Sequence, residues 1–574
     1  MTNTVTNALA RRRTLLPLFG VLVLAVVAAA MYGPVERRAT ATVVSASAAS
    51  AATRPNIVVV MADDMRTDDL RFMPAVRSLL VRNGLTFRNS FSPYPLCCPA
   101  RASFLTGEYA HNHRVFSHTA PWGFEAFDDR ATLATALHGS GYRTAFVGKY
   151  LNGYGKQPSK VTGGSSFQYV PNGWTDWYAA VQRPPGSPYR SGGTYNYMHT
   201  IFNVNGSIDD THRGEYQTSV LGRFSRSLVR RYAGPGRPFF MWVSAVAPHF
   251  GGPREKGDPT HVRDRRGHYV DIATPARPTW VRGHFDRQIQ RASGKPRTGP
   301  SEADVRDKPR TLRFLPEPSR AEWQGVRDST RQRAEALFVL DRQVKALVAT
   351  LKATGEWRNT VLMFTSDNGY FLGEHRKVQG KINAHEPSLR VPLVVAGRGI
   401  PHGERFDPAT TPGLTATVAQ LAGATGRMPV PADGISLVPS FRRDRGWRAP
   451  VVTEGRLDTK VLPSQVPLMA EGFHDARNTI GIRTARWKYV EYSNGDTELY
   501  DLDTDPNELT GLQDDPKYAH VKAELRKVWL QYKDCRGAAC RVPLPANLQR
   551  SPAQNHTGTN AQSRGVQARY GHWR

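Results

Sequence analysis

Asn56-Ile57-Val58-Val59-Val60-Met61-Ala62-Asp63-Asp64 is the stretch on which the fold turns. The run Asn56–Met61 is near-continuously apolar and dominated by β-branched residues, as a strand buried on both faces requires. Four further runs of this kind follow, at Thr144–Val147, Phe239–Val246, Thr360–Phe364 and Val391–Val395. Helical patterns lie between them. From Leu337 to Leu351, apolar residues at 337, 340, 344, 347, 348 and 351 recur at helical spacing, and Gly355 supplies a stop. This alternation predicts an α/β fold, a large mainly parallel sheet flanked by helices. The stretch Ile480–Leu502, with Trp487-Lys488-Tyr489-Val490 and Glu498-Leu499-Tyr500, predicts strands of a smaller C-terminal α+β domain.

Ligands of open α/β sheets bind beyond the carboxyl ends of the strands, so the residues just past each run carry weight. Asn56–Met61 leads to Asp63-Asp64, Thr144–Val147 to Gly148-Lys149, Phe239–Val246 to Pro248-His249, and Thr360–Phe364 to Asp367-Asn368-Gly369. Lys381, His385 and Glu386 stand before the last run. Singly these are ordinary turn residues. Together, three carboxylates and an amide oxygen suit a hard divalent cation, Ca²⁺ or Mg²⁺, and no soft zinc set accompanies them. A cation beside lysines and a histidine is what attack on a tetrahedral oxyanion ester needs.

The nucleophile is sought in Leu96-Cys97-Cys98-Pro99-Ala100-Arg101-Ala102-Ser103-Phe104-Leu105-Thr106-Gly107. With Cys-x-Pro-x-Arg followed by Leu-Thr-Gly, the sequence resembles the sulfatase family. The resemblance implies that a formylglycine-generating enzyme oxidises Cys97 to formylglycine. One hydroxyl of the hydrated aldehyde would attack sulfur to form a sulfate ester, and the other would expel sulfate as the aldehyde re-forms. It further implies Asp63, Asp64, Asp367 and Asn368, with modified Cys97, as metal ligands. Arg101 would hold the modified side chain, Lys149 and Lys381 would contact sulfate oxygens, and His249 would serve at the leaving group.

Gly148-Lys149-Tyr150-Leu151-Asn152, Cys97-Cys98-Pro99, His111-Asn112-His113, Gly173-Trp174 with Trp177-Tyr178, and Tyr195-Asn196-Tyr197 resemble the branch of N-acetylglucosamine-6-sulfatases and extracellular heparan endosulfatases. The chain departs from family patterns at three points. Ala100 replaces the usual Ser, and Leu151 stands where many members carry a histidine. His385 replaces a tyrosine common before the glutamate matching Glu386. Trp174, Trp177 and Tyr178 suit either sugar stacking or a core, and His111 and His113 either a pocket wall or structure.

The chain has 574 residues and a net charge of 77 − 49 = +28, with 10% aromatic residues. With 40% hydrophobic and 22% charged residues, 50 Gly and 41 Pro, the composition excludes a fibre, a coiled coil and a polytopic membrane protein, and the aromatic content argues against wholesale disorder. The charge suits acidic glycans or envelope polymers; no zinc-finger spacing or RNA-binding signature points to nucleic acid. Arg11, Arg12 and Arg13 before the apolar run Leu15–Met31 predict export, with 1–33 a signal peptide or membrane anchor and 34–53 a linker. A catalytic domain is expected over 54–430, including a basic excursion at 254–333 with 19 Lys+Arg against 11 Asp+Glu. A C-terminal subdomain over 431–544 and a disordered basic tail over 545–574 complete the organisation. Cys535 and Cys540 suit a disulfide in an oxidising compartment. The leading reading is a secreted or cell-surface sulfatase acting on a sulfated sugar or glycan. A phosphonate or phosphate ester hydrolase of the same superfamily and a non-catalytic polyanion-binding protein are the alternatives.

Overall fold

The computed structural model describes residues 54–189, 191–234, 236–456 and 473–572; the expected signal or anchor and the linker lie outside the described residues. In chain order the strands begin with β1 (Asn56–Ala62), β2 (Gly84–Phe91), β3 (Arg143–Lys149) and β4 (Asp176–Ala180). Next come β5 (Phe202–Val204), β6 (Ser207–Asp209), β7 (Phe239–Ser244) and a short hairpin, β8 (Val262–Arg263) and β9 (Tyr269–Val270). Then follow β10 (Thr360–Ser366), β11 (Leu393–Gly397) and β12 (Gly403–Thr410).

Apart from the hairpin, these strands form one ten-stranded sheet in the order β12-β2-β11-β10-β1-β7-β3-β4-β5-β6. Its centre, β10-β1-β7-β3-β4, is parallel throughout, and β11 runs antiparallel to both β10 and β2. The apolar run of β1 is explained by its two faces: Ile57, Val59 and Met61 enter one core, Val58, Val60 and Ala62 the other. β3 approaches β7 so closely that a Cβ on Gly148 would lie 2.0 Å from the Ser244 carbonyl oxygen, so only glycine fits before Lys149.

The periodic stretch Leu337–Leu351 is the second half of a longer helix, Arg320–Ala353, opened by a capping box between Ser319 and Glu322. The 254–333 excursion therefore ends inside a helix. The first half shows no apolar periodicity because its buried face includes Ser329, Thr330, Gln332 and Arg333 rather than apolar residues alone.

The C-terminal sheet contains β13 (Val451–Gly455), β14 (Thr479–Arg483), β15 (Trp487–Tyr492) and β16 (Thr497–Asp501), all antiparallel. Leu525, Val528, Trp529 and Tyr532 of the helix Ala519–Tyr532 share its core, and Cys535 is bonded to Cys540. Both sheets belong to one compact unit.

The expectation of a disordered tail is corrected. Residues Pro552–Tyr570 form a helix with Ser551 and Gln554 as its capping box. Its buried stripe of Asn555, Gly558, Thr559, Gln562, Ser563, Val566 and Tyr570 has helical spacing but is mostly small and polar, so hydrophobic periodicity does not reveal it. Hydrogen bonds dock it instead. Asn555 Nδ2 donates to the Phe406 carbonyl of β12 at 2.5 Å, Asn89 Nδ2 to Thr559 Oγ1 at 2.9 Å, and Gln562 Nε2 to the Ala485 carbonyl at 2.9 Å.

Two outcomes follow for measurement. Hydrogen exchange should show amides 556–570 protected like the sheet, and Asn555→Ala should speed their exchange, at a cost of about 0.5–1.5 kcal/mol for one lost hydrogen bond, since the Phe406 carbonyl keeps the bond from Asn89 Nδ2 at 2.7 Å; free exchange there contradicts the docking. Glu454 is buried against His111 (2.7 Å) and Arg477 (2.7 Å). Burial raises its pKa, but these two cations outweigh it and bring it to about 2. A lowered carboxylate pKa stabilises the fold above its unfolded value, so this contribution is lost as pH falls from about 4.5 towards 2. In Glu454→Gln that acid dependence should flatten, and removing one partner of a buried pair should cost about 3–5 kcal/mol at neutral pH, measured by denaturant unfolding.

Candidate active site

The ends of β1, β7 and β10 extend their ladder into the loops beyond. Asp63 N–H donates to the Ala247 carbonyl at 3.2 Å and Asp367 N–H to the Ala62 carbonyl at 3.1 Å. Asp64 then adopts a left-handed backbone (φ 64°), a conformation Asp tolerates, and its N–H donates to Asp367 Oδ1 at 3.1 Å. Three carboxylates are thereby brought together at the carboxyl end of the parallel sheet, all fully buried.

The helix Cys97–Thr106 points its first turn at them. Pro99 is tolerated there because first-turn N–H groups have no intrahelical partner. Cys97 and Arg101, four residues apart, share a helix face, which accounts for the spacing of the motif. Cys97 Sγ lies 3.1 Å from Asp63 Oδ1 and 3.7 Å from Asp64 Oδ1, and Lys381 Nζ donates to it at 2.7 Å. Arg101 Nε donates to Asp367 Oδ2 at 2.8 Å, and its Nη1 to the Lys149 carbonyl at 2.8 Å. Lys149 pairs with Asp63, and Lys381 with Asp64. Cys98 instead joins the core.

His249 Nε2 faces Asp64 Oδ2 at 3.7 Å, while its Nδ1 lies 2.7 Å from the Phe250 carbonyl. A carbonyl only accepts, so Nδ1 carries hydrogen and Nε2 is the atom presented to the site. All the residues expected from the sequence, Asp63, Asp64, Cys97, Arg101, Lys149, His249, Asp367, Asn368 and Lys381, are thus brought together.

Burial opposes charge throughout, and the neighbours decide the outcome. Burial raises Asp63, but Lys149, His249 and Arg101 hold it well below the ordinary carboxylate range. Asp64 is lowered against burial by Lys381 and His249. Asp367 is pushed up to about 6 by burial and by Asp63. Burial, then Asp63, hold the Cys97 thiol well above its usual value. His249 is pushed down to about 4 by burial, with Asp63 and Asp64 opposing.

The donor set fits a hard divalent cation. Ligand atoms of Asp63, Asp64, Cys97 and His249 lie within 4.8 Å of one another. Asp367 and Asn368 border them: Asn368 Nδ2 donates to Asp64 Oδ1 at 2.6 Å, and Asp367 Oδ1 accepts from the Asp64 N–H. Asp64 Oδ2 and Asn368 Oδ1 are buried without a hydrogen-bond partner, two hard oxygens whose burial a bound cation would offset.

Four further residues belong here. Arg333 clamps the Asp64 carbonyl (2.5 Å) and the Pro248 carbonyl (3.3 Å), tying the ends of β1 and β7. Ser244 Oγ accepts from Arg101 and donates to the Lys149 carbonyl at 2.6 Å. The Tyr195 ring lies 5.0 Å from Lys149 Nζ and 5.0 Å from the His249 ring, and its hydroxyl accepts from Asn152 Nδ2 at 2.5 Å. His118 has a buried Nε2 without a partner and is pushed well down by burial, Lys381 and Lys149. Tyr195 sits in the Tyr-Asn-Tyr stretch already singled out; no sequence signal marked the other three.

Other candidates stand apart. Trp177 is fully buried against Phe146, and Trp174 packs on the same core, so neither is placed as a sugar platform. His111 is bound by Glu454 and His113 by Ser103 (3.0 Å). His385 pairs with Glu498 (3.1 Å), and Glu386 with Arg390, Arg483 and Lys488, all structural ion pairs.

Comparison with known proteins agrees with this geometry. Residues 55–424 match the family described as "Sulfatase", and residues 469–534 match "N-sulphoglucosamine sulphohydrolase, C-terminal". The chain is 28% identical to an arylsulfatase of Volvox carteri over 87% of this chain and 77% of that protein. It is 30% identical to the N-acetylglucosamine-6-sulfatase of Capra hircus over 86% of each. In fold it resembles a solved structure described as BT4656 with its substrate D-glucosamine-2-N,6-O-disulfate, with a TM-score of 0.58, 19% identity, and coverage of 83% of this chain and 97% of that one. The family match spans the strands that carry the carboxylates, Cys97, the lysines and His249, and on that ground the chain belongs to the sulfatase family, as a sulfuric ester hydrolase.

Proposed function

We propose that this sulfatase is exported and removes sulfate from a sulfated sugar of the N-acetylglucosamine 6-sulfate kind. In this reading Cys97 is converted to formylglycine, and Asp63, Asp64, Asp367 and Asn368 hold Ca²⁺ or Mg²⁺ beside it. The observation that carries the reading is the setting of Cys97: buried, flanked by Asp63 and Asp64, and touched by Lys381. Because burial and Asp63 hold its thiol protonated, an unmodified Cys97 is a poor nucleophile. When present, the cation supplies charge stabilisation and the aldehyde hydrate supplies a hydroxyl nucleophile with a second hydroxyl for release.

The chain's own residues perform the rest. Lys149 and Lys381 offer ammonium donors to sulfate oxygens as charge develops. Arg101, fixed by Asp367 and Ser244, holds the side chain at 97 in line. His249 Nε2 faces the site and would pass a proton to the leaving oxygen; a bound sulfate adds negative charge beside it and favours its protonated form. The sugar is supported by the names of the goat relative and of the disulfated glucosamine complex, and by the charge of +28. Export is supported by the basic-then-apolar N-terminus and by the Cys535–Cys540 disulfide.

The test is turnover of N-acetylglucosamine 6-sulfate, 4-nitrophenyl sulfate and a nitrophenyl phosphonate by protein co-produced with a formylglycine-generating enzyme. Sulfate release from the sugar is expected. Preference for the phosphonate would establish the esterase alternative, and salt-sensitive glycan binding without turnover the binding-protein alternative. Chelation should abolish turnover, and Ca²⁺ or Mg²⁺ should restore it. His249→Ala should lower kcat on the sugar by about 10²–10⁴. Its effect on 4-nitrophenyl sulfate should be smaller, since nitrophenolate leaves without a proton; equal losses on both contradict the assigned role.

A further inference from the structure

Lys381 also lines a cavity of about 490 Å³, walled by Arg266 and Asp264 of the excursion and by Lys377 and Asn383 of the segment that carries Lys381 itself. Lys377 distinguishes this cavity. Its Nζ donates to the Lys381 carbonyl at 2.8 Å and to Asn383 Oδ1 at 2.5 Å. An ammonium has three hydrogens, so one remains beyond these two bonds, and Nζ also lies 5.1 Å from the centre of the Phe371 ring. The buried lysines Lys149, Lys308, Lys381 and Lys488 each meet a carboxylate, whereas Lys377 makes no ion pair among the described residues.

The two acids bordering the cavity are engaged elsewhere. Asp264 accepts the N–H groups of Arg266 and His268, and Glu322 caps Ser319. Arg376, beside Lys377, is consumed by the carbonyls of Glu302, Ala303 and Leu315. Arg266 is exposed at the rim. Burial, with no carboxylate opposing it, brings Lys377 down to about 8, the cost of a cation met by neutral acceptors and the Phe371 ring but by no counter-charge. An anion in the cavity would offset that cost.

We propose that this cavity receives a second anionic group of the same substrate, a sulfate or carboxylate on the sugar or its neighbour, with Lys377 as its counter-charge and Arg266 at the rim. The proposal rests on the reading that a sulfate ester occupies the site at Cys97. It makes the substrate a multiply charged saccharide rather than an isolated monosulfate, and it gives the basic excursion a specific role.

Calorimetric affinities of the full chain test it. The probes are N-acetylglucosamine 6-sulfate, a disaccharide adding a second sulfate, and a disaccharide adding a uronate. The second anion should tighten binding about tenfold, one desolvated charge contact. Which disaccharide gains identifies sulfate or carboxylate as the anion. Lys377→Gln should abolish the gain and Lys377→Arg retain most of it. Arg266→Glu, at an exposed position, should weaken the disaccharide at least about threefold without unfolding the chain. Equal affinities for one and two anions, or a full gain in both Lys377→Gln and Arg266→Glu, would overturn the proposal. Turnover of the monosulfate, assayed in parallel, reports on the sulfatase reading alone.

Discussion

Three buried carboxylates at the end of a parallel sheet repel one another, and the structure depends on how that repulsion is met. Asp63, Asp64 and Asp367 are fully desolvated. Each is answered by a cation from a different element: Lys149 from β3, Lys381 from the segment before β11, and Arg101 from the helix Cys97–Thr106. Removing any one partner leaves an uncompensated buried charge, among the costliest changes available to a fold. The alignment of β1, β3, β7 and β10 is therefore coupled to the chemistry. Slippage of β1, β3 or β10 would separate a carboxylate from its cation, and β7, between β1 and β3, sets their spacing.

Backbone devices hold that alignment. Gly148 lets β3 close on β7, Ser244 bridges the Lys149 carbonyl to Arg101, and Arg333 ties the ends of β1 and β7 from the long helix. Burial, then Asp63, pushes the Cys97 thiol well above its usual value, with Lys149 and Lys381 opposing. A site that suppresses a thiolate at its centre is poorly suited to thiol chemistry and well suited to a neutral hydroxyl nucleophile. That contrast links the electrostatics to the modification proposed at Cys97.

Much of this was legible in the sequence, and the omissions share a physical cause. β1, β3, β7 and β10 were visible because strands buried on both faces read as unbroken apolar runs, and polar residues at their ends marked the site. Elements whose buried faces are polar were not visible. The first half of the helix Arg320–Ala353 buries Gln332 and Arg333, and the helix Pro552–Tyr570 buries Asn555, Thr559 and Gln562. Their stability rests on hydrogen bonds to residues distant in sequence, which periodicity does not encode. Arg333, on that polar face, was missed for the same reason. Trp177 was open to either role from its aromatic character, and strand pairing of β4 with β3 turns it into the core.

The central claim is that this electrostatic cage holds an oxidised Cys97. Peptide mass spectrometry of the segment containing residues 97–101, on protein purified from its own host, tests it most directly. The account predicts an aldehyde, or its hydrate, in place of the Cys97 thiol. An unmodified thiol in every molecule would contradict it and would remove formylglycine catalysis from this protein in that host.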